Sequence, residues 1–286
     1  MSTNSRVLVG ALSICGMMLA APPAALSAQS PGSWLGDLTW TQAEAMLAEA
    51  PLVIVPFGAG AKEHGPHLPM NADLVVARYL CERAIESLPV VVAPPIVHGW
   101  FPAFRDFPGT EVKDPDVFRA YVLEVARSLV KSGAQRIVLL NTGIARATGL
   151  PISIAARELR VETGIPVLVV SWDDLEDERS DALLEQTSGG HADEGETSIH
   201  LFLQSDLVSA DLPGVAPERD AGPPGPGYRP GVIARDATDP GYLPEGYTGD
   251  PSLATAAKGQ ALLAIMTERW IAALQAFADS PLQRPE

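Results

Sequence analysis

Residues 53–73 read VIVPFGAGAKEHGPHLPMNAD, and this stretch decides the fold. Val53-Ile54-Val55 is an apolar run ended by Pro56, and Gly58-Ala59-Gly60 makes the turn that follows. Glu63, His64, His67 and Asp73 then arrive within eleven positions. A buried strand that delivers carboxylates and imidazoles to a loop at its C-terminal end is how open α/β sheets build sites. These donor types suit a borderline divalent metal such as zinc or manganese.

Outward from this stretch, apolar runs alternate with helical periodicity. The pattern predicts strands at Leu52–Pro56, Val90–Ala93, Arg136–Leu140 and Pro166–Ser171. It predicts helices at Thr41–Glu49, Asp73–Ser87, Asp114–Ser132, Leu150–Thr163, Glu194–Leu203 and Leu253–Ala278. Strands separated by helices of this length imply right-handed βαβ crossovers, hence an α/β fold with a mostly parallel central sheet. Gly133 and Gly164 sit where helix C-caps are wanted, just before the third and fourth strands.

The loops after the four strands should then open on one edge of the sheet. The first carries Glu63, His64, His67 and Asp73. The second runs PPIVHGWFPAFRDFPGT, with His98 and Trp100; the third is Asn141-Thr142-Gly143. The fourth starts at Trp172 and leads to GGHADEGETS, with His191, Asp193, Glu194 and Glu196. Residues 212–251, rich in Pro and Gly, are too long for an ordinary connection. They read as a surface excursion or as a loop bringing Tyr228, Tyr242 and Tyr247 to the site or to a subunit contact.

Composition narrows the function. In 286 residues, 47% are hydrophobic and 19% charged, an ordinary globular balance with ample core. Arg6, the apolar run from Val7 to Ala21, and the small residues after Pro22-Pro23 form a signal-peptide pattern, with cleavage near Ser27 or Ala28. The expected organisation is a signal peptide at 1–28 and one α/β domain at 29–286, exported to the periplasm or medium. Residues 1–28 hold one arginine and no acid, so 19 basic residues face 35 acidic ones in the mature chain, net −16. Such a charge argues against nucleic acid and anionic membrane surfaces as partners. Cys81 is the only cysteine after residue 28, which excludes an internal disulfide and a multi-thiolate metal site.

The histidines carry the chemistry. His64 with Asp73 is the strongest ligand pair, although an aspartate there also suits a helix cap. In HADEGETS, one carboxylate can reach a metal while His191 stays free to protonate a leaving amine. Asp193 belongs to the helix N-terminus. His98 reads equally as substrate contact or turn packing, and His200, inside SIHLFL, reads as a packed core histidine. Lys62 is either a solvated loop lysine or a cation that orients Glu63 or stabilises an oxyanion. The glycines fit neither the P-loop nor the dinucleotide fingerprint.

PFGAGAKEHGPHLPMNAD, the FPGT at Phe107–Thr110, HADEGETS and GDPSLATAAKGQALL together resemble the creatininase (creatinine amidohydrolase) family, from about Trp34 to about residue 276. The resemblance implies a flavodoxin-like three-layer α/β/α fold, frequently hexameric. It implies a dinuclear zinc or manganese site that hydrolyses C–N bonds of cyclic or linear amides. By the same resemblance, His64 is the first-loop metal histidine and Asp73 the aspartate that bridges two metals. His191 is the histidine near the substrate, and Glu196 the glutamate of the ETS element.

Two departures stand out. Lys62 occupies the place of the family's glutamate in Glu-x-His, and Gly143 the place of a metal-binding histidine. Glu63 is then expected to slide into the missing ligand's place; the Gly143 departure either costs one metal or is made good by His67, Glu194 or another group. The expected metal ligands are therefore Glu63, His64, Asp73 and Glu194, holding one or two divalent ions. His191 and Glu196 are expected to be catalytic, with His67, His98, Trp100 and Trp172 around a small amide substrate. Three functions stay open: a metal-dependent amidohydrolase forming a homo-oligomer, a non-catalytic small-molecule binder on the same fold, and a metallopeptidase-like member.

Overall fold

Five parallel strands form one sheet in the order β1-β3-β2-β4-β5. They are β1 (Ser33–Trp34), β2 (Leu52–Phe57), β3 (Val90–Val92), β4 (Ile137–Asn141) and β5 (Val167–Ser171). The structure, a computed structural model, describes residues 30–50, 52–111, 114–143, 148–217 and 245–282. The signal segment at 1–28 and the tyrosines Tyr228 and Tyr242 lie outside the described residues.

The central pair β2/β4 runs in register from Val53 against Ile137 to Phe57 against Asn141. From β2 the chain moves to β3 on one side, then returns to β4 on the other side of β2. The strand order therefore reverses between β2 and β4, where loops leaving the two C-terminal ends diverge and open a crevice. The first and third loops leave the sheet at this point.

Alternate residues of β2 point to opposite layers, as the strand period requires. Val53, Val55 and Phe57 pack with α1 (Trp40–Glu49), α3 (Pro115–Lys131) and α4 (Gly149–Thr163). Leu52 and Ile54 pack with α2 (Ala72–Ser87), α7 (Glu194–Leu203) and α8 (Ala256–Asp279). Two short helices, α5 (Trp172–Leu175) and α6 (Glu178–Asp181), link β5 to the HADEGETS loop. The result is the expected α/β/α sandwich. Among the described residues, the one strand beyond those expected is β1, two residues with no periodicity to betray them.

Helix ends follow local chemistry. Thr39 closes a capping box with Gln42 at the start of α1, and Asp114 caps α3 ahead of Pro115. Gly164 ends α4 at φ +73°, in the left-handed region that glycine tolerates best. By length and composition α8 passes for a membrane span, yet Leu263, Met266, Trp270 and Leu274 are buried in the second core. Trp270 Nε1 also donates to the Leu80 carbonyl at 3.0 Å. At Gly259 a Cβ would lie 1.9 Å from the Ser198 carbonyl oxygen, so this glycine lets α8 lie directly on α7.

Candidate active site

Three side chains converge at the sheet's switch point. Ligand atoms of His64, Asp73 and Glu196 lie within 4.8 Å of one another. His64 comes from the loop after β2, Asp73 from the first turn of α2, and Glu196 from the first turn of α7. The turn at Gly58 makes this possible, because a Cβ there would sit 2.7 Å from the Asp73 carbonyl oxygen. Thr142 ties the same region together, donating from Oγ1 to the Asp73 carbonyl at 2.8 Å.

The donor set fits a divalent ion. His64 Nδ1 lies 2.9 Å from the Lys62 carbonyl, which only accepts, so Nδ1 carries the hydrogen. In the neutral ring Nε2 is then bare, and it stands 3.0 Å from Asp73 Oδ1. Two lone pairs face each other there, and a cation between them removes the conflict. Fixing a histidine through its other nitrogen is the usual support for a metal ligand. Asp73 does not cap its helix. Asn71 holds the N-cap position, and the Asp73 carboxylate turns to His64 and Lys62 instead. Burial opposes the charge on Asp73, but the Lys62 ammonium beside it outweighs burial and holds the carboxyl well below the usual range.

A second group adjoins the first. His191 Nε2 lies 3.1 Å from both the Glu63 carbonyl and Glu63 Oε2, so it donates to them. That leaves Nδ1 bare and 3.9 Å from Glu196 Oε2. The ring stacks on Phe104, with centroids 4.4 Å apart, and lies 5.2 Å from the His64 ring. The next residue, Ala192, is the only non-glycine at positive φ among the described residues, at +46°. A non-glycine in this region stores strain that the surroundings must hold. Ala192 is buried against Leu68 and Tyr247, and its N–H donates to Glu196.

A cleft lined by Phe57, Ile96, His98, Gly99, Phe101 and Asn141 reaches Gly143. A Cβ on Gly143 would stand 3.4 Å from Asp73 Oδ2, so the cleft ends beside the carboxylate. Asn141 Nδ2 is buried without a partner at this end, while its Oδ1 accepts from Gly143 N–H.

The creatinine amidohydrolase family model matches residues 36–274. The chain belongs to the creatininase family. Creatinine amidohydrolase of Pseudomonas putida is 32% identical over 222 residues, 69% of this chain and 84% of that protein. The mycofactocin precursor peptide peptidase of Mycolicibacterium smegmatis is 29% identical over 245 residues, 82% of this chain and 87% of that protein. Among solved structures, a mutant creatininase of Zn-Zn type has a TM-score of 0.72 at 27% identity, covering 87% of this chain and 99% of that one. A creatininase described with Mn has a TM-score of 0.71 at 28% identity, covering 87% and 100%.

On this creatininase fold, the expected site residues separate. His64 and Asp73 stand in the ligand group, as the motifs imply. Glu196, expected to be catalytic, lies beside them and completes a group that could hold a metal ion. Glu63, expected as a ligand, lies against His191, outside the group of His64, Asp73 and Glu196. Its Oε1 accepts from Gly65 N–H, so both carboxylate oxygens are engaged away from the ligand group.

Glu194 is also displaced from the ligand group. Its carboxylate is fully buried, accepts from the N–H groups of Glu185 and Gln186 at 2.8 and 2.7 Å, and pairs with Lys258. Asp193 is the N-cap, accepting from Gly195 and Glu196 N–H.

The expected substrate contacts divide as well. His98 lines the cleft and pairs with Glu111 at its exposed side. Trp100 packs on the first core and offers its carbonyl to Thr148. Trp172 packs into the second core, across the sheet from that cluster. His67 is enclosed, with Nε2 2.8 Å from Thr197 Oγ1 and its ring edge-on to Tyr247. Burial pushes its pKa down to about 4, which keeps it neutral. Sequence reasoning passed over Asn141 as a site residue. Its signal was a polar side chain ending an otherwise apolar strand.

Proposed function

We propose that this chain is an exported, metal-dependent amidohydrolase that cleaves the C–N bond of a small cyclic or linear amide. One observation carries the reading: the bare Nε2 of His64, Asp73 and Glu196 form a ligand group with the bare Nδ1 of His191 beside it. A divalent ion held by His64, Asp73 and Glu196 would acidify water and polarise the scissile carbonyl. Its suggested identity, zinc or manganese, rests on the donor types and on relatives described with those metals.

The protein's own groups supply the rest. Glu63 fixes the ring of His191 by accepting from Nε2–H, as the third member of a catalytic triad does. His191 Nδ1 takes the proton released as water attacks the carbonyl carbon. The same nitrogen returns that proton to the departing amine as the C–N bond breaks. Phe104 and Phe101 keep bulk water from this side, and Asn141 Nδ2 supplies an uncommitted donor to a substrate oxygen in the cleft.

Identity to a peptide peptidase over most of the chain supports a second reading, in which the amide belongs to a short peptide. A hydrolysis panel of lactams, formamides, small linear amides and short peptides separates the two. Turnover confined to peptides rejects the small-amide reading. Metal binding with no turnover on any class rejects both.

The apolar segment of residues 7–21 supports export, and expression with periplasmic fractionation tests it. Assembly as a homo-oligomer belongs to the same reading, and light scattering on the purified protein tests it.

A further inference from the structure

Resting on the metal-dependent reading above, the geometry points to a centre that takes one divalent ion per chain, with Lys62 fixed as the second cation. Asp73 divides its two oxygens. Oδ1 stands 3.0 Å from His64 Nε2, a member of the ligand group. Oδ2 stands 2.8 Å from Lys62 Nζ, and both side chains are only 2% exposed. A carboxylate that bridges two metals through its separate oxygens needs both of them free, and here one is paired by charge with an ammonium.

Among the described residues, the surroundings of Oδ2 supply no ligand to replace that ammonium. Gly143, the residue beside it, has no side chain, and Asn141 Oδ1 is turned to the Gly143 N–H. Among the described residues no fourth His, Cys, Asp or Glu joins the ligand group. Lys62 is also held in place. Its N–H donates to the Met70 carbonyl at 3.0 Å, and Nζ lies 5.6 and 5.9 Å from the ring centroids of Phe104 and Phe101. Aromatic faces at this range attract a cation that has left water.

Charge balance gives the same answer. Asp73, Glu196 and Glu63 supply three negative charges, and Lys62 one positive charge. One divalent ion brings the buried cluster to neutrality. A second would leave two uncompensated positive charges in a largely buried site, a costly arrangement. Lys62 is thus a positioning residue: it holds Asp73 Oδ2 and leaves Oδ1 to the ion.

Metal counting on the purified protein tests this directly. The protein is stripped with a chelator, titrated with zinc or manganese by calorimetry, and its bound metal measured after desalting. The wild type should hold one ion. Lys62→Met should still hold one, bound ~10-fold more tightly because a neighbouring positive charge is gone. Lys62→Glu, by adding a carboxylate beside Oδ2, should bind a second ion. If Lys62→Glu does not fold, as judged by circular dichroism, the wild-type count and the Lys62→Met affinity still decide. Two ions on the wild type, or weaker binding by Lys62→Met, overturn the single-ion centre and leave the metal-dependent reading standing. No ion on the wild type overturns that reading as well.

Discussion

Glu63 Oε2 lies 3.1 Å from His191 Nε2, although 128 positions separate the two residues in sequence. The contact joins the loop after β2 to the N-terminus of α7 and fixes which imidazole nitrogen is free. Glu63→Gln should keep the metal but lower kcat roughly 100-fold, because an amide side chain can present a donor to Nε2 and turn the ring or its tautomer. Steady-state kinetics with metal analysis on the same sample checks this. Loss of metal together with activity would return Glu63 to the ligand set.

Asp73 is engaged by both His64 and Lys62, so removing it should be felt twice. Asp73→Ala should abolish stoichiometric metal binding and leave Lys62 as an unpaired buried cation. The second effect should destabilise the metal-free protein by about 3–5 kcal/mol, the usual cost of breaking a buried ion pair. Calorimetric metal titration and urea denaturation read the two effects separately.

Glu194 offers the contrasting case. Its carboxylate serves two backbone N–H groups and Lys258, and nothing in the ligand group. Glu194→Ala should therefore cost stability, about 3 kcal/mol, by stranding those donors. The number of metal ions bound per folded chain should stay unchanged. A drop in that number would contradict the placement of Glu194 outside the centre.

Acid sensitivity should come in part from His200. Burial lowers its pKa from 6.5 to about 3, so the folded protein holds it neutral. The unfolded chain takes up the proton first as pH falls, so stability is complete above the unfolded pKa and declines from there toward the folded one. His200→Gln should flatten the fall in unfolding free energy between about pH 7 and about pH 5. Denaturant melts at the two pH values test the slope, and an unchanged slope would assign the sensitivity elsewhere.

The fold was readable because its signals are local and repeated. Caps at Asp114 and Gly164 and the apolar runs of β2, β4 and β5 place element ends within a few residues. His64 and Asp73 were readable because the turn and helix start between them fix their spacing. The rest of the candidate site was not. Glu194 and Glu196 sit two positions apart on α7, about 200° around the helix, and nothing in HADEGETS says which face meets the centre. Lys62, Glu63 and His64 are consecutive in an irregular loop with no period to assign directions. Their contacts to Asp73, His191 and Phe104 depend on elements far along the chain.

Lys62 acts on the centre through two separable parts. Its ammonium sets the charge beside Asp73, while its main-chain carbonyl sets the tautomer of His64. Any substitution exchanges the first and preserves the second. The electrostatics of this position can therefore be rewritten by a single change without turning the imidazole two residues away. Such a site can exchange a permanent organic cation for a second ligand, or the reverse, in one mutational step while the remaining coordination sphere stays intact.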